Sequence, residues 1–148
     1  MTYKVRLANL QDIDWIVKDA GRRMIFEELK KPEFYNPHSI KELALNGVRS
    51  GTIVIATKGT ESVGVIGGLL VPHYLNTNTV MLAEIMWYVD PKHRAGRAGY
   101  LLLKKFSEIG KEKASGTTLS LLGDSQVNDS TLARFGFKLT ERNYLSGI

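Results

Sequence analysis

Apolar residues recur along the chain with two different periods, and the change between them predicts the order of helices and strands. A helical period of three to four residues runs through residues 10–24 and again through residues 40–48. Between about 52 and 89 the apolar residues instead form β-branched runs separated by turn residues, which predicts three strands joined as hairpins. A short strand at 5–7 is predicted to precede the two helices.

The second half of the chain alternates between the two patterns. It predicts a helix from about 98 to 114, a strand over 117–122, a short helix over 128–135 and a last strand over 137–144. Hairpin strands are antiparallel, whereas a helix between two strands is typical of a parallel crossover. We therefore predict one α/β domain, residues 1–148, with a mixed and mainly antiparallel sheet.

Local residue choices indicate where several of these elements begin and end. Asn9 followed by Asp12, and Ser39 followed by Glu42, match the pattern in which side chains cap the first turn of a helix. Gly51 follows the second helix, and glycine readily adopts the left-handed conformation found at helix ends. These signals predict helix starts at residues 9 and 39 and a helix end at residue 51.

Composition removes several classes of protein and of site. The 148 residues include no cysteine, which excludes disulfide frameworks, thiolate zinc sites and cysteine nucleophiles. The histidines His38, His73 and His93 show no ligand spacing, so we predict no metal site. No apolar run approaches the roughly 18 residues of a membrane span, and the N-terminus lacks the apolar stretch of a signal peptide. We expect a soluble, cytoplasmic protein.

The positive charge of the chain is concentrated in one place. The net charge is +5, and residues 90–113 hold seven Lys and Arg residues against three acids, which is +4 of that total. Such a concentration favours one anionic partner held in one place. Charge alone does not decide between nucleic acid, a phosphorylated cofactor and a solvated helix face.

Residues 84–102 combine an apolar strand, a loop of small residues and the start of a helix. Small residues let backbone N–H groups approach a ligand closely, and the N–H groups and dipole of a helix start favour an anion. Arg94 and Arg97 add charged donors suited to phosphate oxygens. The alternative is a plain strand-to-helix turn with solvated arginines. The loop is not a Walker loop, because the Gly-Lys-Ser/Thr ending is absent. It is not a dinucleotide-binding fingerprint either, because its glycines do not fit and no βαβ unit precedes it.

This segment resembles the signature of the GNAT N-acetyltransferase superfamily, in which a strand ending Val-x-Pro precedes Arg/Gln-x-x-Gly-x-Gly/Ala. The corresponding residues here are Val89-Asp90-Pro91 and Arg94-Ala95-Gly96-Arg97-Ala98-Gly99. Arg97 replaces the first glycine of the family pattern, with Gly96 one place earlier, which resembles the Arg-Ala-Gly variant of small, phage-type members. The resemblance covers the whole chain, from Arg6-x-Ala8 to Gly136-Phe137.

The resemblance implies a fold with helices on both faces of a sheet that is splayed between its fourth and fifth strands. It also implies acetyl-CoA (coenzyme A carrying an acetyl group) as cofactor. The pyrophosphate would lie on the backbone N–H groups of Arg94, Ala95, Gly96, Arg97, Ala98 and Gly99. The pantetheine arm would pair with the backbone of Trp87, Tyr88 and Val89. Asn128 matches a family position that often touches the pantetheine arm.

Glu84 is the candidate general base of such a reaction. Strand alternation predicts that it shares a face with Leu82, Met86 and Tyr88, where apolar neighbours would raise its pKa. Its strand also resembles one that places a catalytic Glu in the histone-acetyltransferase branch. The alternatives are a Glu that faces solvent or pairs with an arginine, with an ordered water as the base.

The candidate general acid is a tyrosine. Many family members have a tyrosine four residues before the Gly-Phe pair, but Leu132 stands there in this chain. Tyr144 and Tyr100 are the remaining candidates, although Tyr144 could equally be a core residue of the last strand.

Three functions remain open. The resemblance implies acetyl transfer to a primary amine of a small molecule or protein, with the acceptor bound by the variable segments Phe26 to Ser39 and His73 to Thr79. The second is a catalytically silent binding or structural component of the same fold. The third, a nucleic-acid binder using the basic helix, is least favoured because few aromatic residues interleave with its charges. Homodimers are common in the family, so a homodimer is also an expectation.

Overall fold

A single five-stranded sheet organises the fold. The computed structural model describes residues 2–123 and 125–147. The strands lie across the sheet in sequence order: β1 (Tyr3–Leu7), β2 (Ile53–Lys58), β3 (Glu61–His73), β4 (Asn76–Val89) and β5 (Gly116–Thr118). Neighbouring strands from β1 to β4 are antiparallel, and β5 is parallel to β4. The predicted mixed, mainly antiparallel sheet is confirmed.

Helices pack on both faces of this sheet. The first, α1, runs over residues 10–29 and is followed by α2 (Pro37–Ser50), α3 (Ala98–Lys113) and α4 (Asp129–Ala133). Short 3₁₀ turns lie at Pro32–Phe34 and Pro91–His93. No helix within residues 2–123 and 125–147 is long and apolar enough to cross a membrane.

Two hydrophobic clusters, one on each face, hold the helices to the sheet. On one face Phe106 and Leu102 of α3 are fully buried against Ile66 and Leu82. On the other face α1 and α2 pack against a cluster that includes Tyr88 of β4. Each sheet face therefore has its own core, which is the arrangement that the helix and strand order predicts.

The start of α1 has the predicted cap. The Asn9 side chain accepts from the Gln11 backbone N–H, and the Asp12 carboxylate accepts from the Asn9 N–H at 2.8 Å. Asp12 also pairs with Arg6 of β1 at 2.7 Å. Burial alone would raise the pKa of Asp12, but the hydrogen bonds from Arg6 and Asn9 hold it below its ordinary value. This pair ties the first helix to the first strand.

The interior of α1 differs from an ordinary α-helix. Its turn Leu10–Asp12 is 3₁₀ and Ile13–Trp15 is α, but Ile16–Gly21 and Met24–Leu29 are π-helical, with wider turns. Lys30 ends the helix in the left-handed region, with φ 57°. The apolar period of the sequence predicts a helix here, but it does not distinguish an α from a π turn.

The predicted cap of α2 is wrong by three residues. The helix begins at Pro37, and Asn36 rather than Ser39 is its cap: the Asn36 side chain accepts from the Ser39 backbone N–H at 3.1 Å. Proline suits the first helical position because its missing N–H would have no partner there. The predicted end at Gly51 is confirmed, with φ 68°.

The end of the chain departs most from the sequence-based expectations. The strand predicted over 117–122 is β5, Gly116–Thr118, and residues 137–144, predicted as the last strand, form no strand. Leu139 and Tyr144 are 65% and 87% exposed. Alternating apolar residues are typical of a strand, but a strand also needs an edge to pair with. Here β5, the outer strand, is only three residues long.

Gly68 provides a test of how tightly α3 is packed on the sheet. A Cβ atom at this position would lie 2.5 Å from the Ala83 carbonyl oxygen and 2.9 Å from Phe106 Cζ. Gly68→Ala is therefore expected to lower the free energy of unfolding by about 1–3 kcal/mol, measured by urea denaturation. Gly123→Ala is the control and should change it by less than about 0.5 kcal/mol, because no atom of the described residues, chain neighbours aside, lies within 4 Å of a Cβ at that position. Equal effects of the two substitutions would contradict this packing.

Candidate functional site

A cleft opens where the fourth and fifth strands separate. Only Met81, Leu82 and Ala83 of β4 pair with β5. From Glu84 onward, β4 has no strand partner on that side among the described residues. The space has a volume of about 830 Å³, between the end of α1, the second half of β4 and residues 120–122 and 125–131, with the start of α3 at one end. The predicted splay between these strands is confirmed.

A β-bulge at Ile85 sets the direction of the side chains at this point. Glu84 lies opposite Gly68 and Met86 lies opposite Gly67, so Ile85 is an extra residue in β4. Leu82, before the bulge, packs on the α3 side, whereas Met86 and Tyr88 pack on the α1 side. The prediction that Glu84 shares a face with all three is therefore wrong. An extra residue reverses the alternation, leaving Glu84 on the α3 side with Leu82.

Glu84 lines the cleft at the separation point. Its carboxylate accepts a hydrogen bond from the Ser120 backbone N–H at 2.9 Å, which ties β4 to the departing chain. No Lys or Arg nitrogen of the described residues lies within 4.0 Å of it. Burial raises the pKa of Glu84 to about 7, and the hydrogen bond from Ser120 lowers it by less. Near neutral pH this carboxyl can hold or release a proton.

The loop after β4 presents an uncapped helix start to the same cleft. Arg97 is the N-cap of α3 and makes no side-chain capping bond. The backbone N–H groups of the first helical residues, Ala98, Gly99 and Tyr100, have no partner within an α-helix. Gly99 and Tyr100 line the cleft. This end of the cleft therefore has the N–H groups and the helix dipole that stabilise an anion.

The close packing of Tyr3 explains why residue 96 of this loop is a glycine. A Cβ atom there would lie 2.5 Å from the Tyr3 ring, whereas one at Gly99 would have only Val89 Cγ2 within 4 Å, at 3.8 Å. The Tyr3 hydroxyl lies 2.9 Å from His93 Nδ1. Glycine at 96, one place before the departure from the family pattern at Arg97, lets β1 pack against the loop.

The two loop arginines have different surroundings. Arg94 Nε donates to the Val89 carbonyl at 2.7 Å, and its Nη2 pairs with Glu28 at the end of α1. Its guanidinium lies 5.5 Å from the Tyr88 ring centroid. Arg97 lies over the Tyr100 ring at 4.9 Å, and no carboxylate of the described residues is within 4.0 Å of it. Among the described residues, Arg97 is therefore the loop arginine without a charged partner.

The predicted pantetheine residues lie on both faces of β4. Trp87 and Val89 line the cleft and pack with the α3 cluster. Tyr88 is 1% exposed on the opposite face, and its hydroxyl has no hydrogen-bond partner among the described residues. Burial raises the pKa of Tyr88 to about 12, so this phenol stays protonated. Only the backbone of Tyr88 belongs to the β4 edge at the cleft.

The structure separates the remaining candidates. Asn128 lines the cleft, and its side-chain oxygen caps α4 by accepting from the Thr131 N–H at 2.9 Å. Tyr144 is not brought to the cleft, because its predicted strand does not form and its side chain is exposed. Tyr100 lines the cleft at the first turn of α3.

Sequence reasoning placed the segment Phe26 to Ser39 at the acceptor site but missed Met24 and the ion pairs that α1 makes here. Met24, Glu28 and Lys30 line the cleft, and Glu28 reaches Arg94 from 66 positions away in the chain. A second pair joins Arg23 to Asp90 at 3.2 Å. Burial alone would raise the pKa of Asp90, but hydrogen bonds from the Lys92 N–H and Arg23 hold it below its ordinary value. No local signal predicts such pairs, because both depend on how α1 lies against the sheet.

Comparisons with known proteins identify the fold. No family model and no curated protein matches the sequence with significance. The structure matches AAC(6')-Iy in complex with the bisubstrate analogue CoA-S-monomethyl-acetylneamine, with TM-score 0.72, 13% identity and 100% and 99% of the two chains covered. It matches a predicted acetyltransferase with acetyl-CoA from Clostridium acetobutylicum, with TM-score 0.73, 18% identity and 99% and 96% coverage.

A third match has a different description. It is a transcriptional regulator from Bacillus halodurans, with TM-score 0.72, 17% identity and 99% of both chains covered. At these identities the comparisons show the fold alone. The chain has the fold of the GNAT acetyltransferases, which confirms the fold that the resemblance implied.

The raised pKa of Glu84 predicts how stability depends on pH. The folded protein holds this proton up to about pH 7, whereas an unfolded chain releases it near 4.5, so the folded state binds more protons between those values. Stability should therefore fall as pH rises from about 4.5 to 7, by about 2 kcal/mol after allowance for partial exposure. Glu84→Gln, which keeps an oxygen for the Ser120 N–H, should lack this loss in urea denaturation at pH 5 and pH 8. Equal losses in both proteins would contradict the assignment.

Proposed function

We propose that this protein is an acetyl-CoA-dependent N-acetyltransferase that transfers an acetyl group to a primary amine of a small molecule or a protein. The observation that carries the proposal is the position of Glu84. It is a carboxyl group with a pKa of about 7, in a cleft that begins where β4 and β5 separate and that ends at an uncapped helix start. AAC(6')-Iy and the Clostridium acetobutylicum protein, which share this fold, were solved with a coenzyme A analogue and with acetyl-CoA.

The residues present suit such a donor. From Glu84 onward the β4 edge has no strand partner among the described residues, and apart from the Val89 carbonyl, which accepts from Arg94 Nε, its backbone groups can pair with an amide-containing arm as with an added strand. The N–H groups at the start of α3 and the free guanidinium of Arg97 suit its phosphates. Asn128, across the cleft, is held by its capping bonds where its amide can meet the arm. Bound there, acetyl-CoA supplies the acetyl thioester.

Glu84 is proposed to act as the general base. An amine attacks only when neutral, so the proton on its nitrogen must be taken up, and a carboxylate with a pKa near 7 does this efficiently at neutral pH. The new C–N bond forms as the C–S bond breaks, and the leaving thiolate needs a proton. Tyr100 is a phenol that lines the cleft and can supply it. Tyr144 is not retained for this role, because it lies outside the cleft.

A catalytically silent binding protein is the second candidate. Two observations favour it: Leu132 stands where many family members have a tyrosine, and a transcriptional regulator from Bacillus halodurans shares the fold. Thiol release from acetyl-CoA, measured against a panel of amines, polyamines, amino acids and peptides, distinguishes the two. Release with any acceptor above the acceptor-free rate supports the enzyme, whereas acetyl-CoA binding without release across the panel supports the silent protein.

Arg97 should dominate the charged contribution to donor binding. Each charge-assisted hydrogen bond to a phosphate contributes roughly 1.5–3 kcal/mol, so Arg97→Ala should raise the dissociation constant for acetyl-CoA about tenfold or more. Added salt should weaken the wild-type affinity. Isothermal titration calorimetry measures both effects. Lys111→Ala removes the same charge near the other end of α3 and is the control. If both variants bind like the wild type, the loop is not the phosphate site.

Glu84→Gln tests the proposed base. The variant should bind acetyl-CoA with unchanged affinity but turn over about 10²–10⁴ times more slowly at neutral pH, because no group then accepts the proton of the amine. The defect should shrink as pH rises and more of the amine is already neutral. Turnover against pH with a fixed acceptor measures this, and Glu61→Gln, an exposed residue of β3, is the matched control. Wild-type turnover in Glu84→Gln, with chemistry rate-limiting, would exclude Glu84 and leave an ordered water as the acceptor of the proton.

A further inference from the structure

Two ion pairs join α1 to the segment that follows β4, and α1 supplies the positive charge in one and the negative charge in the other. Arg23 of α1 pairs with Asp90 at 3.2 Å, and Glu28 of α1 pairs with Arg94. The first pair is the more enclosed, since the Asp90 side chain is 14% exposed. The second lies at the cleft, which both of its residues line. The two pairs therefore differ in access to a ligand, and only the second can be reached by one.

Arg94 is held mainly from its own side of the cleft. Its Nε donates to the Val89 carbonyl, and its guanidinium lies over the buried Tyr88 ring. Those contacts use one of the five N–H donors of Arg94 and leave the N–H groups of its two terminal nitrogens available to another partner. Glu28 is the carboxylate that takes them among the described residues. The terminal nitrogens of Arg94 can therefore pair either with the Glu28 carboxylate or with an anion bound at the start of α3.

We propose that Glu28 is a positioning residue that competes with the phosphates of the donor for Arg94. Without donor, the Glu28–Arg94 pair draws the loop arginine toward the end of α1. When donor binds, the guanidinium turns its terminal N–H groups to the phosphates, and the Glu28 carboxylate is released on the side of the cleft formed by α1. This inference rests on the proposed function, because it takes acetyl-CoA as the ligand of the loop.

The relative strength of the two contacts favours this exchange. The Arg94 and Glu28 side chains are 45% and 23% exposed, and ion pairs with this much access to water are weak. A pyrophosphate carries more than one negative charge and has several acceptor oxygens within a small volume, so it is the stronger partner for a guanidinium. Glu28 nevertheless opposes binding twice, since its pair with Arg94 must break and its own charge repels the phosphates.

A pair that supports the loop, rather than competing for Arg94, predicts the opposite change in donor affinity when Glu28 is replaced. If the pair instead served as a strut that holds the loop in its binding conformation, loss of Glu28 would loosen the loop and weaken donor binding. The sign of the change in affinity therefore separates competition from support. A purely structural pair would change thermal stability without changing donor affinity.

A double-mutant cycle tests the competition. Acetyl-CoA is titrated calorimetrically into the wild type, Glu28→Gln, Arg94→Gln and the double variant at fixed ionic strength. Glu28→Gln should bind about two- to fivefold more tightly than the wild type, and this gain should disappear when Arg94 is also replaced. Glu27→Gln, the neighbouring acid whose nearest cation is Arg23 at 3.7 Å, controls for the loss of one negative charge and should change affinity by less than about twofold.

The outcomes distinguish this inference from the function on which it rests. Absence of acetyl-CoA binding in the wild type and in all variants would contradict the proposed function, and the competition with it. Binding by the wild type with equal or weaker affinity in Glu28→Gln would overturn the competition alone. A gain that persists in the Arg94→Gln background would also overturn it, because the effect would then not pass through Arg94.

Discussion

The site depends on where the hydrogen bonding between β4 and β5 stops. The two strands pair over three residues, and the next residue of β4 is Glu84. Backbone groups left without a strand partner must find another one, and the Glu84 side chain provides it for the Ser120 N–H. A longer pairing would close the cleft, while a shorter one would leave β5 without its place in the sheet. The same three residue pairs therefore hold β5 in the sheet and fix where the cleft beside β4 begins.

The distribution of ion pairs gives Glu84 its chemical character. Three arginines pair with carboxylates, Arg23 with Asp90, Arg94 with Glu28 and Arg6 with Asp12, whereas Arg97 lies over the Tyr100 ring. No Lys or Arg nitrogen of the described residues lies within 4.0 Å of the Glu84 carboxylate, and burial raises the pKa of Glu84 to about 7. The acids that are paired with arginine, such as Asp12 and Asp90, have lowered pKa values instead. One fold thus contains carboxylates that stay charged and one suited to exchange a proton.

The proposed reaction and the proposed role of Glu28 use the two sides of the same cleft. The start of α3, where Arg97 is the N-cap, forms the end suited to phosphates, and Glu84 lies where the strands part. The π-helical end of α1 forms the facing wall and carries Glu28 toward Arg94. Wide helical turns of this kind are frequent at functional sites. Donor bound at the loop would therefore release the Glu28 carboxylate and so change the charge that α1 presents to an acceptor.

The sequence by itself determined the order of the elements from β1 to α4, the start of α1 at Asn9, the mixed sheet and the loop that leads into α3, because those features depend on residues a few positions apart. It also pointed to Glu84 as the charged residue of an apolar strand. Only the tertiary structure decided the face of Glu84, since the bulge at Ile85 is defined by pairing with β3. The Glu28–Arg94 pair and the absence of a strand at 137–144 were likewise decided there. Each depends on which distant segments of the chain come into contact, and a local pattern of residues does not determine those contacts.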